Sequence, residues 1–204
     1  MGKFFIVLGV ILSVVFMLWA AFVIYSRITA KKIMNEGRNK KSFTFNFLSM
    51  RFSRLDVLKN VNLHIDSPAV PNGRYIADIG LVFVNKGGLI IIDTVPGSGF
   101  VDINEGGQWS RSVNDKCYTF EDPFNHGRHK VKAMKTFLRN EGVENVPVNY
   151  VVLFSGKRVK FSKRLNGLIT AEGLVPYIKD VNMDKYLTYR EIRSVVRLLR
   201  EKSV

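Results

Sequence analysis

An acidic residue at the end of an apolar run is the first feature of this sequence that could do chemistry. The segment LIIIDTVPGSG, residues 89–99, carries four apolar residues into Asp93 and then opens into a proline and two glycines. A carboxylate at the end of a buried strand is a good ligand for Mg²⁺ or Mn²⁺, because both cations prefer oxygen donors. Such a cation can polarise a phosphate and activate a water molecule. Asp93 is therefore a candidate metal ligand, and capping of the following turn is its alternative role.

Two further sets of residues could take part in the same chemistry. Asp78 lies in RYIADIGLVFVN, residues 74–85, and could supply a second carboxylate, although an ordinary polar strand position is the alternative. His126 and His129 lie three residues apart on a predicted helix and so share a face. With no cysteine or well-placed acid nearby, they favour packing or surface exposure over metal binding. Asp78 and Asp93 are the candidate catalytic and metal-binding pair.

Predicted strands must position the two carboxylates. The segment DVLKNVNLHI, residues 56–65, alternates apolar and polar side chains, with Lys59 as the exception. Residues 74–85 and 87–93 are joined by the sequence NKGG, which is typical of a tight hairpin. The run before Asp93 is too apolar for a strand with one solvated face. We therefore expect it at the centre of a sheet, covered on both faces.

Other segments predict further strands around this hairpin. GFVDI and KCYTF, residues 99–103 and 116–120, are expected to continue the same sheet. VNYVVLFS, residues 148–155, predicts another buried strand. Residues 43–52 are rich in aromatic side chains and suit either an interfacial segment or the first helix of the domain.

Helix signals follow the strands. Asp122 and Pro123 are typical of a helix start, and Gly142 ends the apolar periodicity that follows. Thr188 and Glu191 form a T-x-x-E capping box for the last helix. Together these elements predict an α/β or α+β fold with a mixed sheet flanked by helices.

The N-terminal region predicts a membrane span. Residues 4–25 carry no charge, and 22 residues exceed the ~20 needed to cross the hydrocarbon core as a helix. A cleaved signal peptide is the alternative, but its apolar region is usually shorter. Lys3 alone precedes the span and six basic residues follow within 27–41, so we expect the N-terminus outside and the remaining domain in the cytoplasm. A single cysteine, Cys117, suits that reducing compartment. The expected location is the cell membrane, with one pass.

The chain is strongly basic, with 31 basic and 17 acidic residues and a net charge of +14. This excess favours anionic partners, which are nucleic acid or the lipid surface. A solvated basic face is the alternative. The residues predicted to contact nucleic acid or lipid are Arg128, Lys132, Lys135, Lys157, Arg158 and Lys160.

The order of these segments resembles the nuclease-related domain family, NERD, a branch of the restriction-endonuclease-like nucleases with a D…(D/E)-x-K site. The resemblance covers residues 54–180. It rests on VLKNVNL, DIGLVFVNKGGLIIIDTVPGSGFVD, Trp109, FEDPFNHGRHKVKAMKTFL and VVLFSGKRVKF. In the family helix pattern F-x-N-P-x-x-Q-x-x-x-H-x-x-A-L, the glutamine falls on or beside Asn125 and His126, and His129 matches the histidine.

The resemblance implies metal-assisted phosphodiester hydrolysis, in which two carboxylates hold Mg²⁺ or Mn²⁺ and a lysine places the attacking water. This sequence departs from that set. Aligned back from Asp93 without gaps, the first family aspartate falls on Gly80, with Asp78 as the nearest acid. The family lysine falls on Val95, whose hydrocarbon side chain neither donates a hydrogen bond nor carries charge. The fold-bearing positions therefore match the family, and the catalytic positions mostly do not.

The predicted organisation has four regions. They are a transmembrane anchor at 1–26, a basic juxtamembrane segment and linker at 27–53, a NERD-like domain at 54–180 and a C-terminal amphipathic helix at 181–204. The predicted function is a membrane-anchored, catalytically degenerate nuclease fold that needs no cofactor. It would bind nucleic acid, DNA or RNA, or a protein partner at the inner membrane face. One alternative is an active Mg²⁺- or Mn²⁺-dependent nuclease with a rearranged site; the other is a structural membrane component of a larger assembly.

Overall fold

The computed structural model describes residues 17, 40–52, 56–66, 73–113, 116–156, 158–182 and 186–203. The predicted span at residues 4–25 lies outside the described residues except for Met17, and Lys157 lies outside them as well. Within the described part of the chain, no helix is long and apolar enough to cross a membrane. All of the described residues except Met17 belong to one compact unit, Gly37–Val204.

Four helices and nine strands make up this described part. In chain order they are α1 (Lys40–Arg51), β1 (Val57–Asp66), β2 (Arg74–Asn85), β3 (Gly88–Val95), β4 (Gly99–Asp102), β5 (Gln108–Val113), β6 (Lys116–Glu121), α2 (Pro123–Asn140), β7 (Val148–Phe154), β8 (Val159–Phe161), β9 (Leu168–Thr170), α3 (Leu174–Asn182) and α4 (Tyr189–Lys202). The arrangement confirms the expected mixed class, α+β.

The strands form two sheets rather than the single sheet that the sequence predicts. The first sheet has the order β1-β2-β3-β7-β9, antiparallel from β1 to β3 and parallel from β3 to β9. The second has the order β6-β5-β4-β8, with β4 and β8 parallel. The prediction that residues 99–103 and 116–120 continue the first sheet is therefore wrong, because their strands, β4 and β6, belong to the second.

Two loops that lie side by side cause the change of sheet. The chain leaves β3 at Pro96 and β7 at Ser155, and both loops lead into the second sheet. Pro96 has no backbone N–H with which to continue the ladder, and Gly97 has a φ of 112°, which L side chains rarely adopt. The loops are in close contact, because a Cβ on Gly156 would lie 1.7 Å from the carbonyl oxygen of Gly97. Arg111 of β5 donates a hydrogen bond to the Pro96 carbonyl at the same place.

Strand β3 is covered on both faces, as its apolar sequence predicts. Leu89 and Ile91 face a core built with α2 and α4. Ile90 and Ile92 face a second core built with α1 and α3. Burying a side chain of this size stabilises the fold by about 1.5–3 kcal/mol, so β3 is fixed firmly at the centre of the first sheet.

Helix α1 lies within the segment 27–53 that the sequence assigns to the juxtamembrane region. Thr44 and Leu48 of this helix are buried against the first sheet, and Phe52 packs on Phe83 with ring centroids 5.0 Å apart. Of the two alternatives for residues 43–52, the structure shows a helix that is part of the domain core.

The starts of α2 and α4 confirm the predicted caps. The side chain of Asp122 accepts a hydrogen bond of 2.8 Å from the backbone N–H of Phe124, and Pro123 occupies the first turn. Thr188 and Glu191 form the reciprocal capping box of α4. The cap at Asp122 matters for the site, because it fixes where the first turns of α2 lie on the first sheet.

Candidate functional site at the end of strand β3

Asp93 lies near the end of β3 on the face that α2 covers. Side chains alternate between faces along a strand, so Asp93 shares the face of Leu89 and Ile91. Its side chain is 21 % exposed. Since the chain turns away at Pro96, the carboxylate lies at the rim of the first sheet, within reach of side chains from α2.

Lys130 of α2 binds that carboxylate directly. Its Nζ lies 2.7 Å from Oδ1 and 2.8 Å from Oδ2 of Asp93, and its side chain is 19 % exposed. Hydrogen bonds between ionised groups are roughly twice as strong as those between neutral groups. Lys130 lies about two helical turns after the capped start of α2, so the helix holds the ammonium over the strand end.

The hydroxyl of Tyr150 on β7 completes the contacts. It lies 2.8 Å from Oδ2 of Asp93 and 3.0 Å from the carbonyl oxygen of Pro123. The hydroxyl has one proton, so it donates to one of these acceptors at a time. Burial, and then the charge of Asp93, raises the pKa of Tyr150, which keeps the hydroxyl a donor into the alkaline range. We call Asp93, Lys130 and Tyr150 the Asp93 cluster.

Tyr150→Phe is expected to lower the free energy of unfolding by about 1.5–3 kcal/mol, because a hydrogen bond to a charged group is lost. The pKa of Tyr150 is raised in the folded state, so the unfolded chain releases this proton first as the pH rises. The folded wild type should therefore lose stability above a pH of about 10, and the variant should lack that contribution. Urea unfolding at neutral and alkaline pH measures both effects. Tyr118→Phe, at an exposed position of β6, is the control, and equal stability of the two variants would contradict the role of Tyr150.

Asp78 does not join the Asp93 cluster. The ladder between β2 and β3 ends at the pair Leu81–Ile92, one residue before Asp93. Strand β2 has a bulge between the two positions, because Ile79 is an extra residue between the pairs Val61–Gly80 and Asn62–Asp78, and Gly80 has a φ of 85°. The side-chain contacts of Asp93 are with Lys130 and Tyr150, whereas Asp78 lines a cavity together with Lys130.

The two histidines lie near the cluster but outside it. Asp78, His126, His129 and Lys130 line an open cavity of about 500 Å³. Nε2 of His126 lies 2.9 Å from a carboxylate oxygen of Glu121, and both side chains are exposed. His126 and His129 thus share a face of α2, as predicted. The lining of the cavity includes one carboxylate, that of Asp78.

The donors around Asp93 do not fit a divalent cation as they stand. Among the described residues, no group of three or more His, Cys, Asp or Glu side chains is placed to hold a metal. Mg²⁺ is usually bound through one or two carboxylates and keeps several waters, but both oxygens of Asp93 already contact an ammonium. Val95, two residues after Asp93, packs against an apolar cluster that the two sheets share.

A row of exposed cations follows α2 beside the cluster. Arg128, Lys132, Lys135 and Arg139 recur at intervals of four, three and four residues, which places them on one face of the helix. They line an open cavity of about 850 Å³ whose wall also includes Tyr150. We call these four residues the α2 stripe.

The other predicted contact residues lie elsewhere. Lys160 is on β8 and Arg158 is in the loop before it, and both are exposed. Within the described residues, neither lines the cavity of the α2 stripe, and Lys157 is not described. The structure therefore brings three of the six predicted contact residues together, Arg128, Lys132 and Lys135, and adds Arg139.

The fold and the site define a class of protein: an α+β domain in which the acidic end of a central strand faces a flanking helix. The sequence model of the family described as NERD, nuclease-related domain, matches residues 36–155, more than half of the chain. The chain therefore belongs to the nuclease-related domain family. No curated protein and no solved structure matches it at a significant level.

Lys130 and Tyr150 were not predicted as partners of Asp93. The family helix pattern contains one indication of Lys130. Its histidine lies seven residues after its proline, and seven residues after Pro123 is Lys130 rather than His129. Tyr150 carries no motif, and its contact depends on β7 lying parallel to β3.

Proposed function

We propose that this chain is a nuclease-related domain that binds nucleic acid without cleaving it. The observation that carries the proposal is the α2 stripe, four exposed cations around an open cavity beside the Asp93 cluster. Within the described residues, none of the four forms an ion pair with a carboxylate. Their charge is therefore available to a polyanion.

The dimensions of the α2 stripe suit a phosphate backbone. Arg139 lies eleven residues after Arg128, so the stripe is about 16 Å long at ~1.5 Å per residue. In duplex DNA the phosphates of one strand advance by about 3.4 Å along the helix axis. The stripe is therefore long enough for at most about five or six consecutive phosphates.

The cavity wall favours a single strand over a duplex. Phe124 and Tyr150 line it together with Val131, Val143 and Val146. The two aromatic rings lie 5.8 Å apart, centroid to centroid. Bases of a single strand are free to contact such apolar and aromatic surfaces, whereas paired bases are stacked inside a helix. We propose single-stranded DNA or RNA as the ligand.

The state of Asp93 supports binding without cleavage. Two-carboxylate metal sites need free oxygen donors, and here the carboxylate of Asp93 is paired with Lys130, while Asp78 on β2 is not among the contacts of Asp93. The family lysine is replaced by Val95. The chain belongs to a nuclease-related family, and we propose that it has lost the chemistry of cleavage.

We also propose that residues 4–25 anchor the chain in the cell membrane, with the N-terminus outside and the domain in the cytoplasm. The support is the uncharged run of 22 residues and the basic residues that follow it. The bound nucleic acid would then be held at the inner membrane face. Protease protection of the C-terminal region in sealed cells, and digestion of that region after the membrane is opened, tests this orientation.

The double variant Lys132→Glu/Lys135→Glu is expected to weaken binding of a single-stranded oligonucleotide at least tenfold at moderate salt. Each phosphate contact contributes about 0.7 to the slope of log K against log salt for a single strand, so the slope should fall by about 1.4. Fluorescence anisotropy of the full-length chain in detergent, with EDTA present, measures both quantities.

Arg190→Glu/Arg193→Glu is the matched control for this experiment. These arginines are exposed on α4, and the variant changes the net charge by the same amount. Binding should change by less than about threefold, because neither arginine lines the cavity of the α2 stripe. Equal losses in the two variants would show that binding depends on net charge alone, and no loss in the α2 variant would reject the α2 stripe as the contact surface.

A cleavage assay separates this proposal from an active nuclease with a rearranged site. End-labelled DNA with Mn²⁺ is expected to remain intact in the presence of the wild-type chain and of Asp93→Ala alike. The readout is the product ladder on a denaturing gel. Cleavage by the wild type that disappears in Asp93→Ala would show that the site works without a lysine at position 95.

A further inference from the structure

We propose that the ammonium of Lys130 has taken the place of the divalent cation at Asp93, so that the chain neutralises this carboxylate from within and excludes divalent metal. The inference concerns the acidic strand end and not the α2 stripe. It therefore does not depend on whether the domain binds nucleic acid.

The contacts of Lys130 are those of a cation shared by one carboxylate. Nζ is almost equidistant from the two oxygens of Asp93, at 2.7 and 2.8 Å. The hydroxyl of Tyr150 adds a third contact, to Oδ2. A carboxylate offers about four lone-pair sites. The three contacts use most of these sites on Asp93, so few remain to bind a metal.

Charge and geometry both oppose a metal beside Lys130. A divalent cation that bound Asp93 would lie next to the ammonium, and the two side chains are only 19 % and 21 % exposed, so water and salt screen the repulsion poorly. Among the described residues, no group of three or more His, Cys, Asp or Glu side chains is placed to offset this repulsion.

Lys130 contacts Asp93 from a helix, whereas a lysine in the D-x-K pattern would stand on β3 itself, at position 95. Position 95 lies on the same face of β3 as Asp93, but Val95 packs into the apolar cluster of the two sheets. Lys130 instead approaches from α2, whose start is tied to β7 by the Tyr150–Pro123 contact. The helix thus holds the ammonium of Lys130 beside the carboxylate of Asp93 as a fixed counter-ion.

Mn²⁺ titration of the full-length chain in detergent, without nucleic acid, tests the inference. The electron paramagnetic resonance signal of free Mn²⁺ falls as the ion binds. Wild type and Asp93→Asn should bind Mn²⁺ equally weakly. Lys130→Met, which keeps the side-chain bulk and removes the charge, should gain about one Mn²⁺ per chain through the freed carboxylate. The double variant Lys130→Met/Asp93→Asn should lose that gain.

Arg74→Ala is the matched control, because it also frees a carboxylate, that of Asp66, from an ion pair of 2.8 Å on the surface. No gain is expected there, since both partners are largely exposed. Mn²⁺ binding by the wild type that Asp93→Asn removes, or the absence of a gain in a folded Lys130→Met chain, would overturn the inference. If Lys130→Met unfolds, recovery of its circular dichroism spectrum by Mn²⁺ supports the inference, and failure to recover overturns it.

Discussion

Trp109→Ala is expected to lower the free energy of unfolding by about 3–5 kcal/mol, the range for removing a large aromatic side chain from a core. Trp109 is 1 % exposed and lies in the apolar cluster that joins the two sheets. Its ring is 6.1 Å from that of Phe120 and 6.0 Å from that of Phe124, centroid to centroid. Phe124 in turn packs on Tyr150, so the cavity left by the substitution should also loosen the Asp93 cluster. Urea unfolding measures the loss of stability.

Two other variants set the scale for this loss. Trp109→Phe keeps an aromatic ring in the cluster and should cost clearly less than alanine, because a smaller cavity remains. Tyr118→Ala removes an exposed ring from β6 and should cost less than about 1 kcal/mol. A cost for Trp109→Ala as small as that of Tyr118→Ala would show that the second sheet contributes little to the stability of the domain.

Gly127→Ala is expected to destabilise the fold by about 1–3 kcal/mol through overpacking, although alanine inside a helix is normally favoured over glycine by about 0.8–1 kcal/mol. The reason is the ring of Tyr150. A Cβ at position 127 would lie 2.1 Å from Cε1 of that ring. The ring is held by Asp93 and Phe124, so it can move aside only by breaking the Asp93 cluster. Urea unfolding gives both the sign and the size of the effect.

A double-variant cycle isolates this clash. In the Tyr150→Ala background the obstacle is absent, so Gly127→Ala should be neutral or stabilising there, in line with helix propensity. The difference between the two backgrounds measures the contact between position 127 and the ring. Equal destabilisation in both backgrounds would place the cost of Gly127→Ala in the helix itself and would contradict the packing seen at Tyr150.

The elements that could be predicted from the sequence depend on local signals. The β2–β3 hairpin follows from a glycine-containing turn between two apolar runs. The start of α2 follows from Asp122 and Pro123, and the start of α4 follows from Thr188 and Glu191. Each of these signals acts over four residues or fewer, so the local structure depends little on tertiary packing.

Strand β1 shows where local alternation misleads. Lys59 was the one exception in an otherwise regular pattern, and the pattern placed residues 57 and 63 on one face. In the structure Asn60 has a φ of 55°, and the pairing with β2 shifts between Leu58 and Val61. This bulge turns Val57 toward the core of α1 and α3, and Leu63 toward the core of α2 and α4. The exception at Lys59 was thus the sign of the bulge.

The Asp93 cluster was only partly predictable because its partners are distant in the chain. Asp93 itself follows from the end of an apolar strand. Lys130 and Tyr150 are 37 and 57 residues away, and they reach Asp93 only because α2 covers this face and β7 pairs with β3. Which lysine of a basic helix faces the sheet depends on helix rotation, which the core residues of α2 decide. Composition and spacing contain that information only weakly.

The two loops that lie side by side at Gly97 and Gly156 couple the alignment of the sheets. Val95 pairs with Phe154 at the end of the first sheet, and Gly99 pairs with Val159 at the start of the second. Only four residue steps separate the pairs on one loop and five on the other, so neither loop can absorb a slip. A shift of β7 along β3 would be transmitted to β8 along β4 and would break both ladders together. The register of each sheet therefore constrains the register of the other, and the two sheets should unfold in one cooperative transition.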